Sequence, residues 1–199
     1  TGPSASIQID GNGKDWKNIS DFIKEREGDV LKNEKIAIME GDKQREVMHH
    51  NYDVTNIKMT ADPQNVYMLL RLAADVQDYI DWHVQEKNLG DNIGFIFLDL
   101  DNDPATGSVI KPGHWHLQRK GYDALITIAE GHKQNVPDSA FISYSVNHYD
   151  PIKAKFVYDF EELGFEGFMV NSSKASHRIN YQGPHIEMKI DQGLLPIEK

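Results

Sequence analysis

Three aspartates at alternating positions follow the most apolar run of the chain, and they are the residues best suited to bind a metal ion. The run at 93–98 ends in Asp99, Asp101 and Asp103, and the sequence P-A-T-G closes the turn behind them. Calcium takes about six to eight oxygen ligands, mainly carboxylates and carbonyls, and a curling loop can aim alternate carboxylates inward. Asp123 could join them from a neighbouring strand. The sequence therefore predicts a calcium site at a strand end.

This loop does not have the EF-hand pattern. Pro104 stands where that loop needs glycine, and Ile110 stands where it needs a bidentate glutamate. The alternative interpretation is an Asp-rich turn whose carboxylates accept hydrogen bonds from their own backbone, with Asp123 anchoring the turn. The sequence leaves both interpretations open.

Tryptophans in polar segments are the second set of candidates, because flat rings stack on sugars while carboxylates and amides bind sugar hydroxyls. Trp82 and Trp115 lie in the segments Y-I-D-W-H and G-H-W-H, which we predict to be loops. Tyr79 and Asp81 could add a further ring and a carboxylate to a ligand site. The alternative is that both tryptophans fix their loops to the fold. Trp16 follows the first predicted strand, and we expect it to be buried.

Histidines and methionines offer weaker signals for a metal or a haem. Nine histidines are many for 199 residues, and His114 and His116 form a His-x-His pair. Such a pair can bind a transition metal, although solvated loop histidines are the more common case. Haem would need a His or Met pair across a pocket. No motif selects such a pair from Met59, Met68, His83 and His114.

Catalytic motifs are absent from the sequence. There is no G-x-S-x-G, no H-E-x-x-H and no cysteine, so thiolate nucleophiles and disulfides are excluded. Glu161 and Glu162 are adjacent, and neighbouring strand residues point to opposite faces, so they do not form a glycosidase pair. We therefore predict a non-catalytic protein.

The charge balance restricts the partners. A net charge of -10, from 31 acidic and 21 basic residues, argues against nucleic acid and against anionic membranes. An acidic surface suits divalent cations and hydroxyl-rich ligands. No apolar run approaches the ~20 residues of a membrane span. No signal peptide is visible, but the opening T-G-P-S resembles a trimmed start, from which one could have been removed.

Short strands with few helical periods predict an all-β fold, an antiparallel two-sheet β-sandwich of jelly-roll or immunoglobulin-like type. We predict a single domain over 1–199, which could be part of a longer exported protein. This domain would carry a loop-rich insertion at 25–51. A turn of helix is predicted around 19–23. The predicted core includes Leu69, Ile93, Phe95, Phe97 and Ile126. Strands are predicted at 7–9, near 36–38 and 47, and at 54–59, 66–72, 93–100, 122–129, 140–146, 155–158, 177–181 and 185–190.

Five motifs, taken in order, resemble carbohydrate-binding module family 9-like domains, a branch of the DOMON-type β-sandwiches. They are I-x-I-D-G with D-W at 7–16, D-V-T-N-I with N-V-Y at 53–67, D-L-D-N-D-P-A-T-G at 99–107, G-Y-D-A-L-I at 121–126, and the closing segment 187–196. Ala124 stands where an aromatic residue is common, and D-Q-G at 191–193 loosens the last motif.

The resemblance implies a two-sheet sandwich, a structural calcium and binding of a sugar between two tryptophans. It also implies export, so we expect a secreted, periplasmic or cell-surface protein. Trp82 and Trp115 do not align with that clamp. We therefore expect a non-catalytic, calcium-stabilised module that binds carbohydrate. The alternatives are an accessory or structural domain of a larger exported enzyme and, third, a haem-binding electron-transfer domain. The sugar and the oligomeric state stay open.

Overall fold

The computed structural model describes ten ranges of the chain, and strands dominate them. The described residues are 7–25, 34–40, 43–49, 53–87, 92–109, 120–131, 141–150, 155–156, 170–171 and 178–195. In chain order the elements are β1 (Asp21–Lys24), β2 (Glu34–Glu40), β3 (Lys43–His49), β4 (Val54–Ala61), β5 (Asn65–Leu72), α1 (Val76–Lys87), β6 (Asn92–Leu98), β7 (Ser108–Val109), β8 (Lys120–Tyr122), β9 (Ala124–Gly131), β10 (Phe141–Asp150), β11 (Lys155–Phe156), β12 (Val170–Asn171), β13 (Ile179–Gln182) and β14 (His185–Asp191). Two 3₁₀ turns occupy Lys14–Asn18 and Gln192–Leu194.

Two antiparallel sheets form the body of the protein, which confirms the predicted all-β sandwich. The first sheet has five strands in the order β1–β4–β5–β14–β13. The second has the order β11–β10–β9–β6, and the short β12 also pairs with β10. Two small sheets, β2–β3 and β7–β8, accompany them. No helix of the described ranges has the length and apolar character that crossing a membrane requires.

Alternate residues of the strands fill the core between the two sheets. Met68 and Leu70 of β5 lie opposite Met188 and Ile186 of β14, and all four are almost fully buried. This is the period-2 pattern of a strand with one apolar face. Each large aliphatic side chain that is buried in this way stabilises the fold by about 1.5–3 kcal/mol. The second sheet and α1 complete the cluster with Val76, Ile80, Ile93, Ala124, Ile126, Ile128, Ile142, Tyr144 and Val146.

Strand β6 divides its apolar residues between two faces. Ile93 and Ile126 lie in the main core, as predicted. The prediction was wrong for Phe95 and Phe97, which are partly buried in a second cluster with Tyr122 of β8 and with Leu125 and Tyr149 of the second sheet. The register between β6 and β9 shifts near the start of β6. Such a bulge turns Ile93 toward the main core, although Ile93 and Phe95 are two residues apart and would share a face in a regular strand. The phenyl ring of Phe97 lies 5.3 Å from the ring of Tyr122.

The segment around Trp82 is helical, so the prediction of a loop there was wrong. Helix α1 covers Val76–Lys87. Val76 and Ile80 are four residues apart and buried, so this helical face closes one end of the core. Two buried positions in a polar segment were too weak a period to identify the helix from the sequence.

The N-terminal segment also differs from prediction. Residues 7–9 do not form a strand, and the amide of Gln8 donates to the Asp15 carboxylate at 3.0 Å instead. The predicted helical turn at 19–23 is wrong as well, because β1 occupies most of it and leaves Phe22 67% exposed. The spacing of the apolar side chains on this edge strand resembles a helical period, which led to the wrong prediction. The burial of Trp16, at 1% exposed, is confirmed.

The strands predicted near 36–38 and 47 and at 54–59 and 66–72 are present and pair as two hairpins. Strands β4 and β5 join through Asp62, whose carboxylate accepts from the amides of Gln64 and Asn65 at 2.8 and 2.7 Å. In the predicted insertion, β2 and β3 pair with Ile36 opposite Val47.

Candidate functional site

The predicted metal-binding loop follows β6 and meets the start of β9. Carboxylate oxygens of Asp99, Asp101 and Asp123 lie within 4.8 Å of one another. Leu98 pairs with Ala124, and this register brings the loop after β6 beside Asp123. Asp99 and Asp101 are exposed, whereas Asp123 is half-buried. Two neighbouring strand ends thus bring three of the four predicted acidic residues to one point.

Asp123 holds this loop to the second sheet. Its Oδ2 accepts from the amide of Leu100 at 2.7 Å, and its own amide donates to the carbonyl of Leu98 at 2.8 Å. Its carbonyl accepts from the amide of Tyr149 on β10 at 2.9 Å. The anchoring role that the sequence left open for Asp123 is therefore present, and it coexists with membership of the acidic group.

Asp103 is the predicted ligand that does not belong to the group. Its Oδ1 accepts from the amide of Ala105 at 2.9 Å. Asp101 accepts from the amide of Asp103 at 2.8 Å and from the hydroxyl of Thr106 at 2.9 Å. The hydrogen bond from the Asp103 amide is the main reason that the pKa of Asp101 lies below its ordinary value. Asp101 and Asp103 thus both fix the turn, and Asp101 also remains available to a cation.

Two glycines allow the loop to lie directly on β8. Gly107 has a φ of +66°, and a Cβ there would lie 2.6 Å from the carbonyl oxygen of Tyr122. Gly121 has a φ of +92°, and its Cβ would lie 2.8 Å from the carbonyl oxygen of Asp103. Only glycine suits such contacts in the left-handed region. The position of the carboxylates therefore depends on close backbone packing.

The predicted sugar-binding residues are only partly described. Trp82 lies within α1, where its side chain is outside the described part of the structure, and Trp115 lies outside the described residues altogether. Tyr79 is partly buried against the main core, and this burial raises the pKa of its hydroxyl. Asp81 is exposed, and its carboxylate accepts from the amide of Gln77 one helical turn away at 2.6 Å.

The residues weighed for a haem occupy ordinary structural positions where they are described. Met68 is fully buried in the core, and Met59 packs partly buried against it. The side chain of His83 in α1 is not described, and His114 and His116 lie outside the described residues. Both methionines therefore serve packing between the sheets.

A buried carboxylate that the sequence analysis missed connects β14 to the N-terminal segment at 10–16. Glu187 of β14 is 0% exposed. Its Oε2 accepts from the amides of Asp10 and Gly11 at 2.9 and 2.6 Å. Its Oε1 accepts from the amide of Gly13 and the indole Nε1 of Trp16, both at 3.0 Å. This carboxylate holds the N-terminal segment against the outer face of the first sheet.

The apolar–polar alternation of β14 is typical of a strand with one solvent-facing side, yet Glu187 is buried on that side. Glu187 does lie on the face opposite Ile186 and Met188, but the segment containing Trp16 covers it. One feature of the sequence could have connected the two residues. Trp16 lies in the opening motif of the family resemblance, and Glu187 lies in its closing motif. Burial raises the pKa of the Glu187 carboxyl, while the amides of Gly11 and Gly13 lower it in part.

The same outer face carries a cleft, which we call the outer-face cleft. Its volume is about 490 Å³, within the range of about 300–1,000 Å³ common for small-molecule sites. Register places Lys24, Asn56, Arg71 and His185 side by side on β1, β4, β5 and β14, and all four line it. Leu69 lines it one row away and is buried there, although the sequence predicted it for the core between the sheets.

Two of the groups that line the outer-face cleft have shifted pKa values. A hydrogen bond from Asn56, followed by the nearby Lys58, lowers the pKa of Asp21. Burial, followed by the charge of Arg71, lowers the pKa of His185. At neutral pH the cleft therefore contains an ionised Asp21 and a neutral His185. No local sequence pattern indicated this cleft, because its residues come from four strands and from the segment around Trp16.

No protein-family model, curated protein or solved structure matches this chain.

Proposed function

We propose that the protein is a non-catalytic carbohydrate-binding β-sandwich of an exported protein, and that calcium stabilises its Asp99–Asp101–Asp123 group. The convergence of these carboxylates within 4.8 Å is the observation that carries the proposal. The sandwich fold and the ordered motifs described above support it.

The geometry suits a hard cation for a physical reason. Three like charges at this separation repel one another, and a divalent ion would replace that repulsion with attraction. Asp99 and Asp101 come from the loop after β6, whereas Asp123 immediately precedes β9. An ion held by all three would therefore join two neighbouring strands, and backbone carbonyls or water would complete its oxygen shell.

Calcium binding is tested by thermal unfolding with calcium and with chelator. A ligand that binds only the native state at a free concentration of about 100 Kd stabilises it by about 2.7 kcal/mol. For a domain of this size that corresponds to a rise in melting temperature of about 5–10 °C. Magnesium at the same concentration is the ion control.

Two matched variants locate the ion. Asp101→Asn should remove most of the calcium-dependent shift, whereas Asp103→Asn should retain it, because Asp103 lies outside the acidic group. Both substitutions remove one charge from the same loop. The site would be refuted if the melting temperature of the wild type were the same with calcium and with chelator. If both variants lost the calcium-dependent shift equally, Asp103 would be a ligand as the sequence predicted.

Sugar binding is tested by calorimetric titration with mono- and oligosaccharides. If Trp82 and Trp115 supply stacking rings, Trp82→Ala and Trp115→Ala should each weaken binding by at least ~1 kcal/mol. Tyr79→Ala is a poor test because this ring packs against the core. Asp81→Asn is the matched probe of the polar contacts, since Asp81 is exposed on the same helix.

One observation favours the second candidate, an accessory domain of a larger exported enzyme with no ligand of its own. Among the residues that the structure describes, Trp16 is the one tryptophan lining the outer-face cleft, and at 1% exposed it offers no open face for stacking. Absence of heat with every saccharide tested, in a folded protein, would select this candidate.

A further inference from the structure

The charges of the outer-face cleft differ from those of the whole chain. The chain has a net charge of -10, but the described residues that line the cleft include four basic and two acidic side chains. The basic residues are Lys17, Lys24, Lys58 and Arg71, and the acidic residues are Asp21 and Glu25. An acidic protein therefore presents a locally basic cleft, which is the arrangement that attracts an anion.

Lys58 and Asp21 neutralise each other within the cleft. Their charged atoms lie 3.6 Å apart. Lys58 Nζ also donates to the carbonyls of Trp16 and Ile19 at 3.0 and 2.8 Å. Lys58 is thus occupied in holding the N-terminal segment, and it leaves Arg71 and the two other lysines to bind a ligand.

Arg71 is the basic group best placed for recognition. It is exposed on β5, and within the described ranges no carboxylate forms an ion pair with it. A guanidinium matches a carboxylate through two parallel hydrogen bonds. Asn56 lies opposite Arg71 on one side and His185 on the other. The row therefore presents an amide, a guanidinium and a neutral imidazole, which together suit a carboxylate flanked by hydroxyl groups.

The geometry points to a uronic acid, the carboxylate-bearing class of sugar, as the ligand of the outer-face cleft. Arg71 holds the carboxylate, Lys24 adds a second positive charge, and Asn56 and His185 bind hydroxyls. The described residues that line the cleft include no open aromatic face, which disfavours a neutral sugar here, since stacking is what holds such a ligand. This inference rests on the proposed carbohydrate-binding function and names its ligand class and site.

The test is titration calorimetry with pairs of saccharides that differ only in one group. Methyl glucuronide is compared with methyl glucoside, and galacturonate oligomers with galactose oligomers, with acetate and inorganic phosphate as simple anions. We expect the uronides to bind, and their binding to weaken as salt is raised. Arg71→Ala should weaken it at least ~10-fold, because charge-assisted hydrogen bonds are lost.

Two variants control for charge and folding. Lys14→Ala removes the same charge from an exposed residue that does not line the cleft, and it should change affinity by less than about twofold. Arg71→Lys retains the charge without the planar fork, and it should give an intermediate loss. Arg71 is exposed, so its variants should melt within a few degrees of the wild type.

The outcomes separate this inference from the function on which it rests. If neutral sugars bind and uronides bind no better, the uronate assignment fails while carbohydrate binding stands. If no saccharide binds, the proposed function fails and the inference fails with it. Acetate or phosphate binding as tightly as a uronide would identify a simple anion site and overturn the assignment. Uronide binding that is unaffected by Arg71→Ala would also overturn it, by placing the ligand elsewhere.

Discussion

Replacing Glu187 with glutamine should destabilise the protein by about 2–4 kcal/mol at neutral pH. The substitution keeps the size and shape of the side chain and changes one acceptor oxygen into a donor. In the native protein both oxygens act only as acceptors, from the amides of Asp10, Gly11 and Gly13 and the indole of Trp16. An amide NH₂ must therefore face two N–H donors, whichever way the glutamine is turned.

The magnitude follows from two opposing effects. Each buried donor left without an acceptor costs about 1–3 kcal/mol, so the two lost bonds cost about 2–6 kcal/mol. Glutamine also removes the unfavourable burial of a charge, which offsets part of this loss. Burial is the first cause of the raised pKa of Glu187, so the offset is real. The balance leaves about 2–4 kcal/mol, or about 5–15 °C in melting temperature.

The pH dependence has a definite sign. The pKa of Glu187 is raised in the native state above its ordinary value of 4.5. The native state therefore binds more protons than the unfolded state between these two pKa values, and the contribution of Glu187 falls as pH rises through the native pKa. The Glu187→Gln variant has no such group. The stability gap between wild type and variant should be larger at pH 4.5 than at pH 7.5.

Urea unfolding followed by far-ultraviolet circular dichroism measures the free energy of unfolding of both proteins and its dependence on pH. Trp16→Phe is the companion variant, because it removes one of the four donors and keeps most of the ring burial; it should cost about 1–2 kcal/mol. The reasoning is refuted if Glu187→Gln unfolds within about 0.5 kcal/mol of the wild type. A gap that widens as pH rises would show that the amides, rather than burial, set the pKa of Glu187.

Three further predictions use other contacts. Gly107→Ala should destabilise by at least ~1 kcal/mol, because its Cβ would lie 2.6 Å from the carbonyl oxygen of Tyr122 at a φ of +66°; an unchanged urea midpoint would contradict it. Tyr144→Phe should cost about 1 kcal/mol, since the hydroxyl donates to the carbonyl of Lys189 at 2.7 Å and so bridges the two sheets; equal stability in urea would exclude that contribution. Because the pKa of His185 is lowered from 6.5, the unfolded state binds more protons just below pH 6.5, so the wild type should lose more stability than His185→Gln between pH 7 and 5; parallel pH profiles would contradict this.

Local sequence patterns were sufficient for the elements whose residues interact with near neighbours in the chain. The hairpin of β4 and β5 follows from two apolar runs around Asp62, and the alternation in β14 places Ile186 and Met188 on one face. The aspartates after β6 likewise identified their own loop, since most of its hydrogen bonds span five residues or fewer. In such cases the residues that determine the structure lie within one short segment.

Patterns failed where a distant segment decides the environment. The polar position of Glu187 in the alternation of β14 is typical of an exposed residue, but residues more than 170 positions away cover it and donate to it. Phe95 and Phe97 belong to an apolar run that predicted core positions, yet a bulge in the pairing with β9 separates them from Ile93. The length of an apolar run does not reveal which of its residues face the main core.

The acidic group and the outer-face cleft show the same difference between what local patterns predict and what strand pairing determines. Residue types and local spacing were enough to identify the residues that could bind a cation, because both are properties of one short segment. The fold was needed to show that Asp123 joins Asp99 and Asp101 while Asp103 does not. The row of Asn56, Arg71 and His185 exists only through strand register, since each residue comes from a different strand. Pairing between strands distant in the sequence is fixed by burial of the whole core, which no short segment encodes.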